Sequence, residues 1–152
     1  MEFIAEKDAG LIPFVLSQIL DTVVTGITLS DPDQPDNPVV YANAAFEMIT
    51  GYEQDEIIGR NCRFLQGEDR DQPEIGRISE ALRTDEPVTV TLRNYKKDGT
   101  LFYNRFTIRP LFDRDGRLIY YLGVQYDVTE EVRTKEELAR LKAVLESAGG
   151  KS

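Results

Sequence analysis

Histidine is missing from the 152 residues, and cysteine occurs once, at Cys62. The first absence removes the usual general base and the commonest metal ligand. The second rules out an intrachain disulfide and a thiolate cage for zinc. Hydrolase triads and zinc chemistry are therefore excluded. Long apolar runs are missing too: none approaches the roughly 20 residues that a bilayer span needs. The opening segment, Met1 to Asp8, is acidic where a secretory signal is basic. The expectation is a cytoplasmic protein with no membrane segment. Cations are scarce, 18 Lys and Arg against 27 Asp and Glu, for a net charge of −9. Nucleic acid is a poor partner for such a surface, because phosphate backbones are held by clustered cations that displace counterions. The same deficit makes any local cluster of arginines informative.

What is present fits one soluble domain: 41% hydrophobic and 30% charged residues, with enough length to bury a core. Residues 11–21 predict a helix with apolar positions at 12, 15, 16 and 19. A strand at 24–30 and another at 39–42 flank the turn-rich stretch from Asp31 to Pro38. Asn43 can cap a helix that Gly51 stops. Residues 52–66 read as short helical pieces broken at Gly59, and Asp71 as the cap of a helix through Leu82, with Pro73 in its first turn. Strands follow at 87–96 and 100–111 around the hairpin turn Lys97-Asp98-Gly99-Thr100, then at 117–128. Residues 129–148 lack Gly and Pro and predict a helix. The order implies an α+β fold, a five-stranded antiparallel sheet with helices on one face. Three segments result: an N-terminal flanking helix within 1–22, a core over 23–128, and a C-terminal helix and tail over 129–152.

Side chains alternate faces along a strand, so parity sorts them. Asn94 shares a face with Val88, Val90 and Leu92. Asn104 shares one with Phe102, Phe106 and Ile108, and Gln125 one with Ile119, Tyr121 and Gly123. Each amide alone could bond a loop or a buried water. Three on one sheet face are harder to satisfy, since an unpaired buried amide costs roughly 1–3 kcal/mol. A planar heterocycle with alternating donors and acceptors on its edge would pair with all of them. Gly123 in the same row would let a flat ring approach the backbone.

The run Gly59-Arg60-Asn61-Cys62-Arg63-Phe64-Leu65-Gln66 resembles the signature of LOV (light-oxygen-voltage) domains, the flavin-binding photosensory branch of the PAS fold, and of bacterial short LOV proteins in particular. The similarity extends over about residues 24–128, through Ser30-Asp31-Pro32, Pro35-Asp36-Asn37-Pro38, Tyr41 to Phe46, Thr50-Gly51-Tyr52, Leu92 to Tyr95 and Gly123-Val124-Gln125. The resemblance implies a PAS fold and a photoactive thiol at Cys62 that bonds flavin carbon C4a under blue light. It implies Asn94 and Asn104 on the pyrimidine edge, and Gln125 beside N5 and O4 as the relay. Asn61 and Gln66 match contacts to the ribityl chain and ring, and Arg63 the arginine on the phosphate. Thr28, Ser30, Leu65, Ile78, Phe106, Ile108 and Gly123 match positions around the pocket. Where many family members carry another phosphate-binding arginine, this chain has Ser79. Arg70 is the candidate replacement and Arg77 a second one, because a guanidinium clamps phosphate bidentately. FMN is the implied cofactor, with riboflavin and FAD as alternatives.

A lone cysteine is ordinarily an inert small hydrophobe, and here the resemblance outweighs that reading. The excited flavin would supply the driving force, so no base is needed, and thermal reversal makes the cycle a switch and not an enzyme. The face of the last strand opposite Gln125 carries Leu118, Tyr120, Leu122, Val124 and Tyr126, and the first strand adds Ile27 and Leu29. Something must cover so apolar a face: the N-terminal helix, the C-terminal helix with its stripe Leu138, Leu141, Val144, Leu145, or a second copy. The expectation is a homodimer through this face and the flanking helices, with an effector protein as a further possible partner. A PAS module sensing another ligand or flavin redox state without light, and a bare dimerisation module, stand as the alternatives.

Overall fold

Strand boundaries in this chain follow its turn chemistry, and helix boundaries its capping residues. The computed structural model describes residues 11–149, with side chains from residue 13 onward. The acidic opening segment, the side chain at position 12 and the tail 150–152 lie outside the described residues. Helix α1 (Leu11–Thr22) leads into β1 (Gly26–Ser30), which starts two residues later than the pattern predicts. Strand β2 (Val39–Ala42) returns to α2 (Ala44–Thr50). Asn43 caps α2 by accepting the Phe46 N–H at 3.1 Å, and its Oδ1 also accepts the Ile27 N–H at 2.8 Å. Its amide donates to the carbonyls of Leu20 and Thr25. One fully buried side chain thus ties α1, β1 and α2 together.

Helix α3 (Gln54–Ile57) and a 3-10 helix (Cys62–Gln66) are the short pieces expected around Gly59. Helix α4 (Pro73–Thr84) is capped at Gln72 and not at Asp71. Proline at the first helical position forces its predecessor into extended backbone, so the cap falls at 72. The Gln72 side chain is occupied elsewhere, pairing with the Arg93 backbone in both directions at 2.8 and 3.0 Å. Strands β3 (Val88–Tyr95), β4 (Leu101–Phe112) and β5 (Leu118–Asp127) form the meander, turned at Gly99 with φ 89°. Helix α5 spans Thr129–Gly149.

The sheet order is β2-β1-β5-β4-β3, antiparallel throughout. Helices α2, α3, α4 and the 3-10 helix lie against one face. A core of Val39, Ala42, Phe46, Ile57 and Leu65 closes one end of that layer. Among the described residues the other face is only partly covered: the Tyr41 hydroxyl, on that face opposite Leu29, is buried beside Ser17 of α1, while Tyr120 and Tyr126 stay exposed. No residue of α5 is buried, and α1 leaves Phe14, Val15, Leu16 and Ile19 exposed. Of the three covers considered, α1 reaches the Tyr41 end of this face, and α5 buries none of its own residues. Helix α5 touches the sheet mainly at its start, where Thr129 Oγ1 accepts the Tyr103 N–H at 2.9 Å and Arg105 pairs with Glu131. Among the described residues no helix is long and apolar enough to cross a membrane.

Candidate functional site

Pairing register brings the three amides together. Phe106 lies opposite Gln125, Ile108 opposite Gly123, Leu92 opposite Asn104, and Thr28 opposite Gly123 on the far side of β5. The alternating inward residues of four adjacent strands thus form one continuous patch. The 3-10 helix and α4 roof it, leaving a cleft of about 710 Å³ with its open mouth included. Thirteen of the fourteen expected binding positions line it together with Cys62. The exception is Arg70. Its exposed guanidinium points along its own loop, with Nε donating to the Gly67 carbonyl at 3.4 Å. Arg77 is also outside, donating to the Thr89 carbonyl.

Four lining residues were not among the expected positions: Asn37, Leu82, Leu92 and Tyr121. Strand parity already placed Leu92 and Tyr121 on the right face, and Leu82 follows Ile78 by one helical turn. Asn37 has no such periodicity, because it sits in the loop before β2. Tyr121 fastens β5 to the end of α4, donating to Asp85 Oδ1 at 2.7 Å. Burial first, then the neighbouring Asp85 carboxylate, push its phenol up to about 12.

The amides are buried and partly unpaired. Asn104 Nδ2 donates to Asn94 Oδ1 at 3.0 Å, and Gln125 Nε2 to Thr28 Oγ1 at 3.3 Å. Asn104 Oδ1 and Gln125 Oε1 have no protein partner. Such acceptors are costly to leave unmet, so they fit a ligand that presents donors. Gly123 leaves the wall between them bare. A Cβ there would meet Gln125 Nε2 at 2.9 Å and Phe106 Cε2 at 3.0 Å, and would crowd Thr28 Oγ1.

Cys62 opens the 3-10 helix, with Asn61 capping it by accepting the Arg63 N–H at 2.9 Å. Desolvation pushes the Cys62 thiol up to about 12, and a hydrogen bond with Thr28 only partly offsets this. At neutral pH the sulfur keeps its proton. Downstream, the loop that carries Arg70 is clamped to β3. Asp69 accepts both Nε and an Nη of Arg93 at 2.7 and 2.8 Å and the Tyr95 hydroxyl at 2.6 Å. Those bonds, with Arg93 first, hold the Asp69 carboxyl down to about 2. This fixes the roof of the cleft beside Asn94.

The PAS domain family profile matches residues 24–130. A LOV domain from an Erythrobacter litoralis blue-light-activated histidine kinase is 41% identical, with TM-score 0.66, over 70% of this chain and 98% of that one. The chain is a LOV domain of the PAS family. An RNA-binding light-oxygen-voltage receptor superposes on this LOV domain at TM-score 0.83 and 38% identity, over all of this chain and 42% of that one. The blue-light photoreceptor of Listeria monocytogenes is 42% identical over 126 residues, 83% of this chain and 49% of the relative. The LOV domain thus spans about half the length of that curated relative. What the relatives share with it is a blue-light photosensory domain, and this kinship implies a flavin chromophore. The unpaired amide oxygens, the bare wall at Gly123 and the single cation at Arg63 among the lining residues fit such a group.

Proposed function

We propose that this LOV domain is a blue-light switch that holds FMN in the cleft and bonds it reversibly through Cys62. The observation that carries the reading is the position of the single cysteine, Cys62, in the wall of the cleft that holds the unpaired amide oxygens. Bound flavin supplies the light absorption and the driving force. With flavin bound, Cys62 Sγ would bond carbon C4a in the light while its thiol proton passed to N5, and both moves would reverse in darkness, so nothing would be consumed. Asn94 and Asn104 hold the pyrimidine edge, Asn61 and Gln66 the ribityl chain and ring, and Arg63 the terminal phosphate. Thr28, Ser30, Leu65, Ile78, Phe106, Ile108 and Gly123 shape the walls. The visible spectrum before and after illumination, wild type beside a Cys62 variant, tests this reading.

In this reading Gln125 reports the change. It pairs with Gly26 across β1 and lies two residues before Asp127, whose carboxylate accepts the Thr129 N–H at 3.0 Å where α5 begins. A rotated Gln125 amide would be felt at that junction. The message then leaves through the outer face and the flanking helices in a homodimer, where an effector partner would also dock. Support comes from the exposure of Tyr120, Tyr126 and the Leu138, Leu141, Val144, Leu145 stripe, with Leu145 72% exposed. Burying such side chains is worth about 1.5–3 kcal/mol each. Sedimentation should show a dimer at micromolar concentration. A monomer in both darkness and light would remove this part of the reading. The net charge of −9 argues against nucleic acid as the partner of this chain.

A further inference from the structure

Arg63 is the only charged side chain among the residues lining the cleft, and it is already engaged. Its guanidinium pairs with the Asp36 carboxylate. Asn61 holds both partners at the mouth: its Nδ2 donates to the Asp36 carbonyl at 2.8 Å, while its Oδ1 accepts the Arg63 N–H. Asp36 and Asn37 both adopt left-handed backbone, φ 68° and 46°, and Asn37 itself lines the cleft. The turn therefore aims a carboxylate at the one cation available there. Arg70 and Arg77 bond to carbonyls elsewhere, and position 79 is a serine whose hydroxyl donates to the Ile75 carbonyl. One positive and one negative charge leave the anion-binding end of the cleft electrically neutral.

A phosphate arriving at this end must compete with Asp36 for the same guanidinium, and it meets a like charge while doing so. An uncharged ribityl terminus faces no such contest. We propose that Asp36 is a specificity-determining residue, an internal carboxylate that occupies the anion-binding face of Arg63 and narrows the advantage of FMN over riboflavin. This rests on the flavin reading above and deepens it. Asp36 would act through Arg63, without covering the ring, so its effect falls on the phosphate alone.

The test is titration of the full chain, stripped of flavin, with FMN and with riboflavin. Asp36→Asn suits it because asparagine tolerates left-handed backbone, so the turn is kept. Asp36→Asn should tighten FMN about three- to fivefold, the scale of a half-exposed ion pair, and leave riboflavin unchanged. The gain should shrink as salt rises, because the competition is between charges. Arg63→Gln should erase the FMN preference, with Asp36 or Asn beside it alike. An unchanged FMN-to-riboflavin ratio in Asp36→Asn, or equal changes for both flavins, would overturn the inference while leaving flavin binding intact. A wild type that binds neither flavin would overturn the flavin reading itself.

Discussion

Cys62→Ala is expected to stay yellow and to lose reversible bleaching under blue light altogether. The flavin contacts proposed above come from the amides of β3, β4 and β5 and from Arg63, none of which uses the sulfur. Affinity for FMN should therefore change by less than about threefold, within the scatter of a small truncation. The 3-10 helix keeps its Asn61 cap, so the wall keeps its shape. Absorbance recorded before and after illumination checks both halves of the expectation. Bleaching that persists in the variant would place the photochemistry elsewhere. A colourless variant would mean that the thiol, and not the amides, holds the cofactor.

Gly123→Val should be the most damaging single change on the sheet. The first carbon added at 123 already meets Gln125 Nε2, Phe106 Cε2 and Thr28 Oγ1, and only the glutamine can swing away. The threonine is stiff at χ1, and Phe106 stands on β4 opposite Gln125. Overpacking of this kind costs about 1–3 kcal/mol, which thermal unfolding of the cofactor-free chain would register as a lower Tm. The added methyls also stand where the flat ring would lie. Flavin affinity should fall at least tenfold, about 1.4 kcal/mol. A variant with wild-type Tm and wild-type flavin binding would show that the ring does not lie over Gly123.

Most of the cleft was legible because four of its walls are strands. A period of two is easily read, and Asn94, Asn104 and Gln125 kept the faces it assigned them. Register did the rest: the hairpin at Gly99 sets Leu92 opposite Asn104, so two amides predicted separately become hydrogen-bonded neighbours. Loops offer no such period. Arg70 looked suitable by charge, yet the Asp69–Arg93 pair clamps its loop to β3 while its own side chain turns to Gly67. Asp36 and Arg63 are 27 residues apart, joined by a turn whose left-handed residues are aspartate and asparagine where glycine would have signalled it. The cap at Gln72 was within reach, since Pro73 already marks the first helical position. Strand parity marked the outer face as apolar. Its cover has no such period to read: α1 reaches only the Tyr41 end, and α5 buries none of its own residues.

Cys62 is the only thiol in the chain, so its S–H stretching band in the infrared belongs to one atom pair. The account predicts that this band is present in darkness at neutral pH, as a thiol raised to about 12 requires. It should vanish on blue illumination together with the flavin absorbance, and both should return at the same rate in darkness. Bleaching and recovery with the S–H band unchanged would contradict the account.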